Sequence, residues 1–206
     1  MGEVYTLQLR EILDREAYLF QTVDRERQEK ASRYRRLEDR VRCLAAGFLM
    51  KHYLPDYAKE RLRIAKDGKP YLLGGPAFSL SHGGDYVLLF VDDTAEGVGI
   101  DVEPIRQMDQ YQRILPYYTT EEERQFIGSE AQRAVYIWTR KESLYKTFGQ
   151  GISDFRKLPG TLEDQIMLFG RSVSLKSWER DGHMFSIAIR GDGVSTDAVL
   201  RAVKLM

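Results

Sequence analysis

The chain has 206 residues, 43% of them hydrophobic and 30% charged, and its 31 basic residues balance 31 acidic ones. That length allows one large domain or two small ones with a sizeable buried core. A single cysteine, Cys43, excludes an internal disulfide and a thiolate zinc site, the lack of any asparagine excludes an N-glycosylation sequon, and no apolar run approaches a membrane span.

Val4–Leu9 alternates in hydrophobicity and is read as a first strand. Asp14 is placed to cap a short helix through Phe20, and Val23–Arg33 forms a second helical stretch. A long helix is expected over Leu37–Tyr53, with Val41, Leu44, Ala45, Phe48 and Leu49 at helical spacing and Pro55 closing it. Leu62–Ala65 and Pro70–Leu73 flank Lys66-Asp67-Gly68-Lys69, whose Asp-Gly is a hairpin signal. Ala77–Leu80 and Tyr86–Val91 flank a second turn, Ser81–Asp85, and Gly97–Glu103 follows as a strand. Asp109–Leu115 reads as a helix, Thr120 with three acids behind it opens another, and Ser129–Phe148 is a second long helix stopped by Gly149-Gln150-Gly151. The remainder is strand-like over Ile166–Phe169, Ser172–Arg180, Met184–Arg190 and Ala198–Lys204, with turns at Asp181-Gly182 and Gly191-Asp192-Gly193. This order predicts an α+β protein of two similar halves, residues 1–103 and 104–206, each with helices on a small antiparallel sheet and both packed as one body.

Charge is unevenly spread. Residues 25–69 hold 14 basic side chains against 7 acidic ones, a net +7, whereas residues 92–142 hold 11 acids against 6 bases, a net −5. The two stretches could face each other across a cleft, one side attracting phosphates and the other a metal. The basic stretch is interleaved with acids and matches no nucleic-acid module, so no nucleic-acid partner is expected. The N-terminus lacks the basic-then-apolar order of a secretion signal, so a cytoplasmic protein is expected.

As a strand, Gly97–Glu103 sends Val98, Ile100 and Val102 to one face and Gly99, Asp101 and Glu103 to the other. Two carboxylates at i and i+2 stand roughly 6.5–7 Å apart on one side, and the glycines would let a ligand approach the backbone there. Such a pair suits a hard cation such as Mg²⁺, or is simply a pair of acids in water. On the second long helix Glu142 and Lys141 fall inside the apolar arc formed by Val135, Trp138, Ala134, Ile137 and Leu144, while Thr139, Arg140, Ser143 and Thr147 occupy the polar arc. Charges on a core-facing arc need partners. Glu142 could converge with Asp101 and Glu103, a cation would relieve their repulsion, and Lys146 would offer positive charge to a phosphate. His82 lies where a strand ends in Gly83-Gly84, a small anion-binding arrangement. No Walker loop, dinucleotide fingerprint or nucleophile motif is present.

Lys69-Pro70-Tyr71, Phe78-Ser79-Leu80-Ser81-His82, Gly99-Ile100-Asp101-Val102-Glu103 and Trp138-Thr139-Arg140-Lys141-Glu142-Ser143-Leu144-Tyr145-Lys146, in that order and spacing, resemble the motifs of the surfactin-type 4′-phosphopantetheinyl transferases. The resemblance covers about residues 20–155. It implies a pseudo-dimer of two α+β halves with the active site between them. It also implies an enzyme that moves the phosphopantetheine arm of coenzyme A onto a serine of an apo carrier protein of fatty-acid, polyketide or peptide-synthetase type, releasing adenosine 3′,5′-bisphosphate. By the family pattern Asp101, Glu103 and Glu142 hold Mg²⁺, or Mn²⁺, against the pyrophosphate. Lys146 and His82 contact phosphates, Lys69, Pro70 and Ser81 line the coenzyme site, and Arg27, Lys30 and Arg42 approach the 3′-phosphate. Glu142 or a metal-bound water would act as the base. Ser79, Gly83, Cys43 and Gln150 depart from the common pattern. The carrier would meet residues 107–123, where Tyr111, Leu115, Tyr117 and Tyr118 are apolar candidates. A monomer is expected. A non-catalytic coenzyme A or carrier-binding module of the same fold, and another Mg²⁺-dependent phosphotransferase, stand as alternatives.

Overall fold

The computed structural model describes residues 2–55, 57, 59–65, 68–148, 155–192 and 196–205. In chain order the strands are β1 (Glu3–Gln8), β2 (Leu62–Ile64), β3 (Pro70–Leu72), β4 (Ala77–Gly83), β5 (Tyr86–Asp92), β6 (Gly97–Pro104), β7 (Gln165–Leu168), β8 (Arg171–Arg180), β9 (His183–Arg190) and β10 (Val199–Ala202). The helices are α1 (Leu9–Ile12), α2 (Glu16–Thr22), α3 (Arg25–Ser32), α4 (Leu37–Tyr53), α5 (Asp109–Gln112), α6 (Glu121–Ile127) and α7 (Ala131–Phe148). Lys66 and Asp67 of the expected hairpin turn, the helix stop Gly149-Gln150-Gly151 and Gly193 lie outside the described residues.

Two four-stranded sheets, β10-β1-β5-β4 and β6-β9-β8-β7, stack face to face, and β2-β3 forms a separate hairpin. Strand alternation builds the layers. Every residue of β5 is buried: Val87, Leu89 and Val91 pack towards α4, while Tyr86, Leu88 and Phe90 meet Val98, Ile100 and Val102 of β6 and Phe185, Ile187 and Ile189 of β9. Each such side chain removed from water contributes about 1.5–3 kcal/mol. The expected faces of the Gly97–Glu103 strand are therefore correct, with Gly99 and Asp101 turned towards α7.

Several boundaries differ from expectation. β6 pairs with β9, from Gly97↔Arg190 to Pro104↔His183, so the change of sheet comes before residue 97 rather than at 103. The C-terminal strand β10 returns to the first sheet and runs parallel to β1, so residues 104–206 do not stay together and that sheet is not wholly antiparallel. Asp14 sits in a 3₁₀ turn and does not cap α2, whereas Asp24 caps α3 by accepting the Arg27 N–H. The helix expected over Asp109–Leu115 is one turn long. Thr120 and Glu123 form a full capping box on α6.

The arc read as polar on α7 is buried: Thr139 and Arg140 are 0% exposed, Ser143 0% and Thr147 3%. The hydroxyls turn inwards. Ser143 Oγ donates to the Arg140 carbonyl and Thr147 Oγ1 to that of Ser143, while Thr139 Oγ1 pairs with Ser186 Oγ of β9. These small residues are the stripe on which the sheet lies. A Cβ on Gly99 would fall 1.8 Å from the Ser143 carbonyl oxygen, and one on Gly97 2.6 Å from that of Thr147. The glycines of β6 thus admit the helix backbone, not a ligand.

Candidate functional site

Between α3 and α4 on one side and β6 and α7 on the other lies a cavity of about 630 Å³. Its α3 and α4 wall carries Arg27, Lys30 and Arg42 interleaved with Asp24, Glu26 and Asp39, and its opposite wall carries Asp101, Glu103 and Glu142 with Lys146; Ser81, His82, Pro70 and Trp138 also line it. The basic and acidic stretches of the sequence do meet across a cleft.

Asp101 and Glu103 reach the cavity because β6 alternates, and Glu142 and Lys146 because they lie one helical turn apart on α7. Lys146 Nζ is 2.7 Å from Asp101 Oδ1 and donates also to the Ile100 carbonyl at 3.1 Å. Ser81 Oγ donates to the same Asp101 oxygen at 2.8 Å. Asp101 Oδ2 is buried and receives no hydrogen bond among the described residues. Burial, and then the neighbouring charge of Asp101, push Glu103 up to about 7; Glu142 adds to the rise, and Arg106 and Lys146 oppose it. Burial likewise raises Glu142, with Lys146 pulling down and Asp101 pushing up. The charge of Asp101 thus acts on both Glu103 and Glu142. Among the described residues no group of three or more acidic, histidine or cysteine side chains is arranged so that it could hold a metal ion.

His82 is open to the cavity, yet the cleft walls, then Arg42 and Lys146, push its imidazole below the usual range, which favours the neutral ring. The Lys30 ammonium makes no hydrogen bond or ion pair among the described residues, and the residue lines the cavity from α3. Arg27 Nη2 lies 3.7 Å from Met50 Sδ. Arg42 is held by Asp39 at 3.0 Å and by the Gly84 carbonyl at 2.8 Å, and its Nε is buried without a partner among the described residues.

Lys69 lines a second, smaller cavity beside Thr147 and Arg190 rather than the one that holds Asp101 and Glu142. Its ammonium donates to the carbonyls of Val98, at 2.9 Å, and Lys146, so it ties β6 to α7 from behind the site. Of the four apolar candidates for a partner contact, Tyr111 and Tyr118 are core residues and Leu115 is half-buried, while Tyr117 is 64% exposed. Ser79 accepts the Ile100 N–H and joins β4 to β6. Gly83 is obligatory, since a Cβ there would lie 2.0 Å from the Val102 carbonyl oxygen. Cys43 does line the cavity, and Gln150 lies outside the described residues.

The sequence reading missed Met50, Tyr34 and Tyr57 on the cavity wall. Met50 was findable, because Asp39, Arg42, Cys43, Ala46 and Met50 recur at helical spacing on one face of α4. Tyr34 and Tyr57 lie outside the helices and carry no periodic signal.

A family model described as the 4′-phosphopantetheinyl transferase superfamily matches residues 97–181. The chain is 30% identical over 167 residues to the 4′-phosphopantetheinyl transferase psf-1 of Bacillus pumilus, covering 73% of this chain and 70% of that one. It is 29% identical to gsp of Aneurinibacillus migulanus, covering 66% of this chain and 60% of the relative. It is 37% identical to AcpT of Salmonella typhimurium, covering 49% and 56%.

Proposed function

The chain belongs to the 4′-phosphopantetheinyl transferase superfamily, and from that premise we propose that it transfers the phosphopantetheine arm of coenzyme A to a serine of an apo carrier protein. The observation that carries this reading is one cavity with Arg27, Lys30 and Arg42 on one wall and three carboxylates on the other, where Asp101 helps push Glu103 and Glu142 up. A polyanionic nucleotide matches the first wall and a pyrophosphate with its counter-ion the second.

The residues fit a divalent cation that draws part of its coordination from substrate. Mg²⁺ is commonly held by one or two carboxylates plus phosphate oxygens and waters rather than by a closed protein cage. The orphaned Asp101 Oδ2 and the raised Glu103 and Glu142 are what such a cation would satisfy. Asp101, Glu103 and Glu142 would hold it, as Mg²⁺ or Mn²⁺. When bound, it would supply charge neutralisation at the pyrophosphate.

The chain's own residues do the rest. Arg27, Lys30 and Arg42 bind the nucleotide end, and Pro70, Ser81 and neutral His82 line its path. The acceptor serine oxygen attacks the β-phosphorus and forms the new O–P bond. The pyrophosphate bridge breaks, and adenosine 3′,5′-bisphosphate leaves with the bridging oxygen. Glu142 takes the serine proton, a task suited to a carboxylate desolvated enough to hold it. Lys146 offsets the charge that grows on the leaving phosphate. The carrier docks on the exposed part of residues 107–123, where Tyr117 and Ile114 face outward. Among the described residues no helix is long and apolar enough to cross a membrane. The same reading makes the enzyme a cytoplasmic monomer without a nucleic-acid or membrane partner.

The test is a mass measurement on a panel of apo carriers mixed with the protein, coenzyme A and Mg²⁺, with and without EDTA. The expected result is one phosphopantetheine added per carrier, only with metal. Coenzyme A binding without any transfer would favour a binding module instead. Transfer of phosphate to a nucleotide without any protein acceptor would favour a different phosphotransferase.

A further inference from the structure

Arg42 stands at the nucleotide end of the cavity, but what fixes it lies in the other sheet. Its Nη2 donates to the Gly84 carbonyl at 2.8 Å. The N–H of that same peptide group, on Asp85, points the other way and meets His183 Nε2 at 3.2 Å. The Asp85 N–H can only donate, so Nε2 accepts. The ring proton therefore sits on Nδ1, which faces the Asp181 carbonyl at 2.8 Å. One peptide plane is thus gripped at both ends, by a cation at its oxygen and by an imidazole at its nitrogen. Hydrogen bonds in such a chain strengthen one another.

The turn is built for this grip. Gly84 has φ +51°, and a Cβ there would lie 2.1 Å from His183 Nε2, so only glycine brings the peptide against the ring. Tyr86 meets the imidazole edge-on at 5.1 Å, and the Tyr86 hydroxyl is 2.6 Å from Asp181 Oδ2. The Asp85 carbonyl accepts from the Leu9 N–H at 2.7 Å. Without the acceptor at Nε2 the peptide loses its orienting partner, and the Gly84 oxygen loses its fixed aim at Arg42. Among the described residues Arg42 is then held by Asp39 alone, which pulls it along α4.

We propose that His183 is a positioning residue. By accepting from the Asp85 N–H it orients the Gly84–Asp85 peptide, which in turn holds the Arg42 guanidinium in place for the anionic nucleotide end of coenzyme A. This rests on the reading of the cavity as a coenzyme A site.

The experiment is calorimetric titration of the whole protein with coenzyme A in the absence of any carrier. His183→Leu weakens binding about five- to tenfold, the scale of one lost hydrogen bond. His183→Gln, which offers a carbonyl oxygen in place of Nε2, recovers most of the loss. His183→Lys, which sets a donor against a donor, does not. In an Arg42→Ala background, His183→Leu causes no further loss. Equal losses in both backgrounds, or equal affinities for the Gln and Lys variants, overturn the inference. The Gln–Lys contrast stands even where the Leu variant fails to fold. A wild-type protein that binds no coenzyme A overturns the cavity reading itself, whereas wild-type binding that is indifferent to residue 183 overturns only the positioning role.

Discussion

Two neighbouring residues on α7, Lys141 and Glu142, enter opposite kinds of surroundings. Lys141 is 1% exposed and pairs with Glu123, which is 0% exposed. Its ammonium also donates to the Pro159 carbonyl at 2.7 Å. The Glu123 carboxylate is saturated, accepting from the backbone of Thr120 and Thr161 at 2.7 Å each, from Thr161 Oγ1 at 3.0 Å, and from Lys141 at 3.0 Å. The Glu142 carboxylate receives no hydrogen bond among the described residues, and it borders Asp101, which keeps a buried oxygen unsatisfied. The first pair joins α6, α7 and the strand-leading segment around residue 161, with its bonding complete. The second set is incomplete, and what would complete it is a ligand. In this protein, satisfaction rather than burial separates a structural charge from a chemical one.

The largest effects come from breaking each side in turn. Glu142→Gln should lower transfer by about 10²–10⁴-fold, the usual worth of a general base, with the thermal midpoint held or raised, because a desolvated charge is removed. Lys141→Met should do the reverse. It strands Glu123 in the core and costs about 3–5 kcal/mol of stability, while whatever fraction remains folded keeps its turnover. Denaturant unfolding and single-turnover transfer on both variants measure this. Near-normal turnover by Glu142→Gln would end its assignment as base.

The second effect concerns pH. The folded, cation-free protein keeps the Glu103 proton to about pH 7, whereas the unfolded chain releases it near 4.5. The folded state thus binds the extra proton between those values, so stability of the cation-free protein falls as pH rises from 4.5 through 7 and levels off above. A cation needs the ionised group, so Mg²⁺ affinity should climb by up to tenfold per pH unit over that window and flatten above 7. Mg²⁺ titrations followed by thermal midpoint from pH 5.5 to 8 read both trends. The Glu123–Lys141 pair, already closed, should be indifferent to Mg²⁺. A flat Mg²⁺ affinity across the window would remove Glu103 from the ligand set.

These contrasts also explain what could be read from the chain. Alternation in Gly97–Glu103 and helical spacing in Leu37–Tyr53 gave both faces correctly, because burial writes a period into the sequence. That Asp101, Glu103, Glu142 and Lys146 would share one cavity wall was legible from strand alternation and helical projection. The polar arc of α7 was misread because Thr139, Ser143 and Thr147 are small and satisfy themselves on their own helix, so polarity did not mean exposure. The aim of Lys69, whose ammonium donates to the carbonyls of Val98 and Lys146, was not legible because a motif records identity and not direction. The return of β10 to β1 and the grip of His183 on the 84–85 peptide are contacts over about 200 and 100 residues, which no local pattern encodes.

Packing supplies a further and smaller break. Gly99→Ala places a methyl against the Ser143 carbonyl, where 1.8 Å is available. Either β6 or α7 must shift, at a cost of about 1–3 kcal/mol typical of overpacking. Because β6 carries Asp101 and α7 carries Glu142, the shift should depress transfer more than it depresses coenzyme A binding, whose cations sit on α3 and α4. Comparing KM for coenzyme A with kcat in Gly99→Ala separates the two. A change confined to KM would mean that the acidic wall does not depend on this contact.

The smallest expected effect sharpens the comparison on the basic wall. Arg42 is anchored by Asp39 and the Gly84 carbonyl, whereas Lys30 has no bonded partner among the described residues, so it resembles Glu142 in awaiting one. An exposed ammonium meeting a phosphate at a cavity edge is worth little more than about 1 kcal/mol, since water and salt screen it. Lys30→Ala should therefore raise KM for coenzyme A roughly fivefold at low salt, less at high salt, and leave kcat unchanged. Dephospho-coenzyme A, which lacks the 3′-phosphate, should lose much less by the same change. Equal losses with both compounds would move Lys30 away from the 3′-phosphate, and no loss with either would return it to the solvated face of α3.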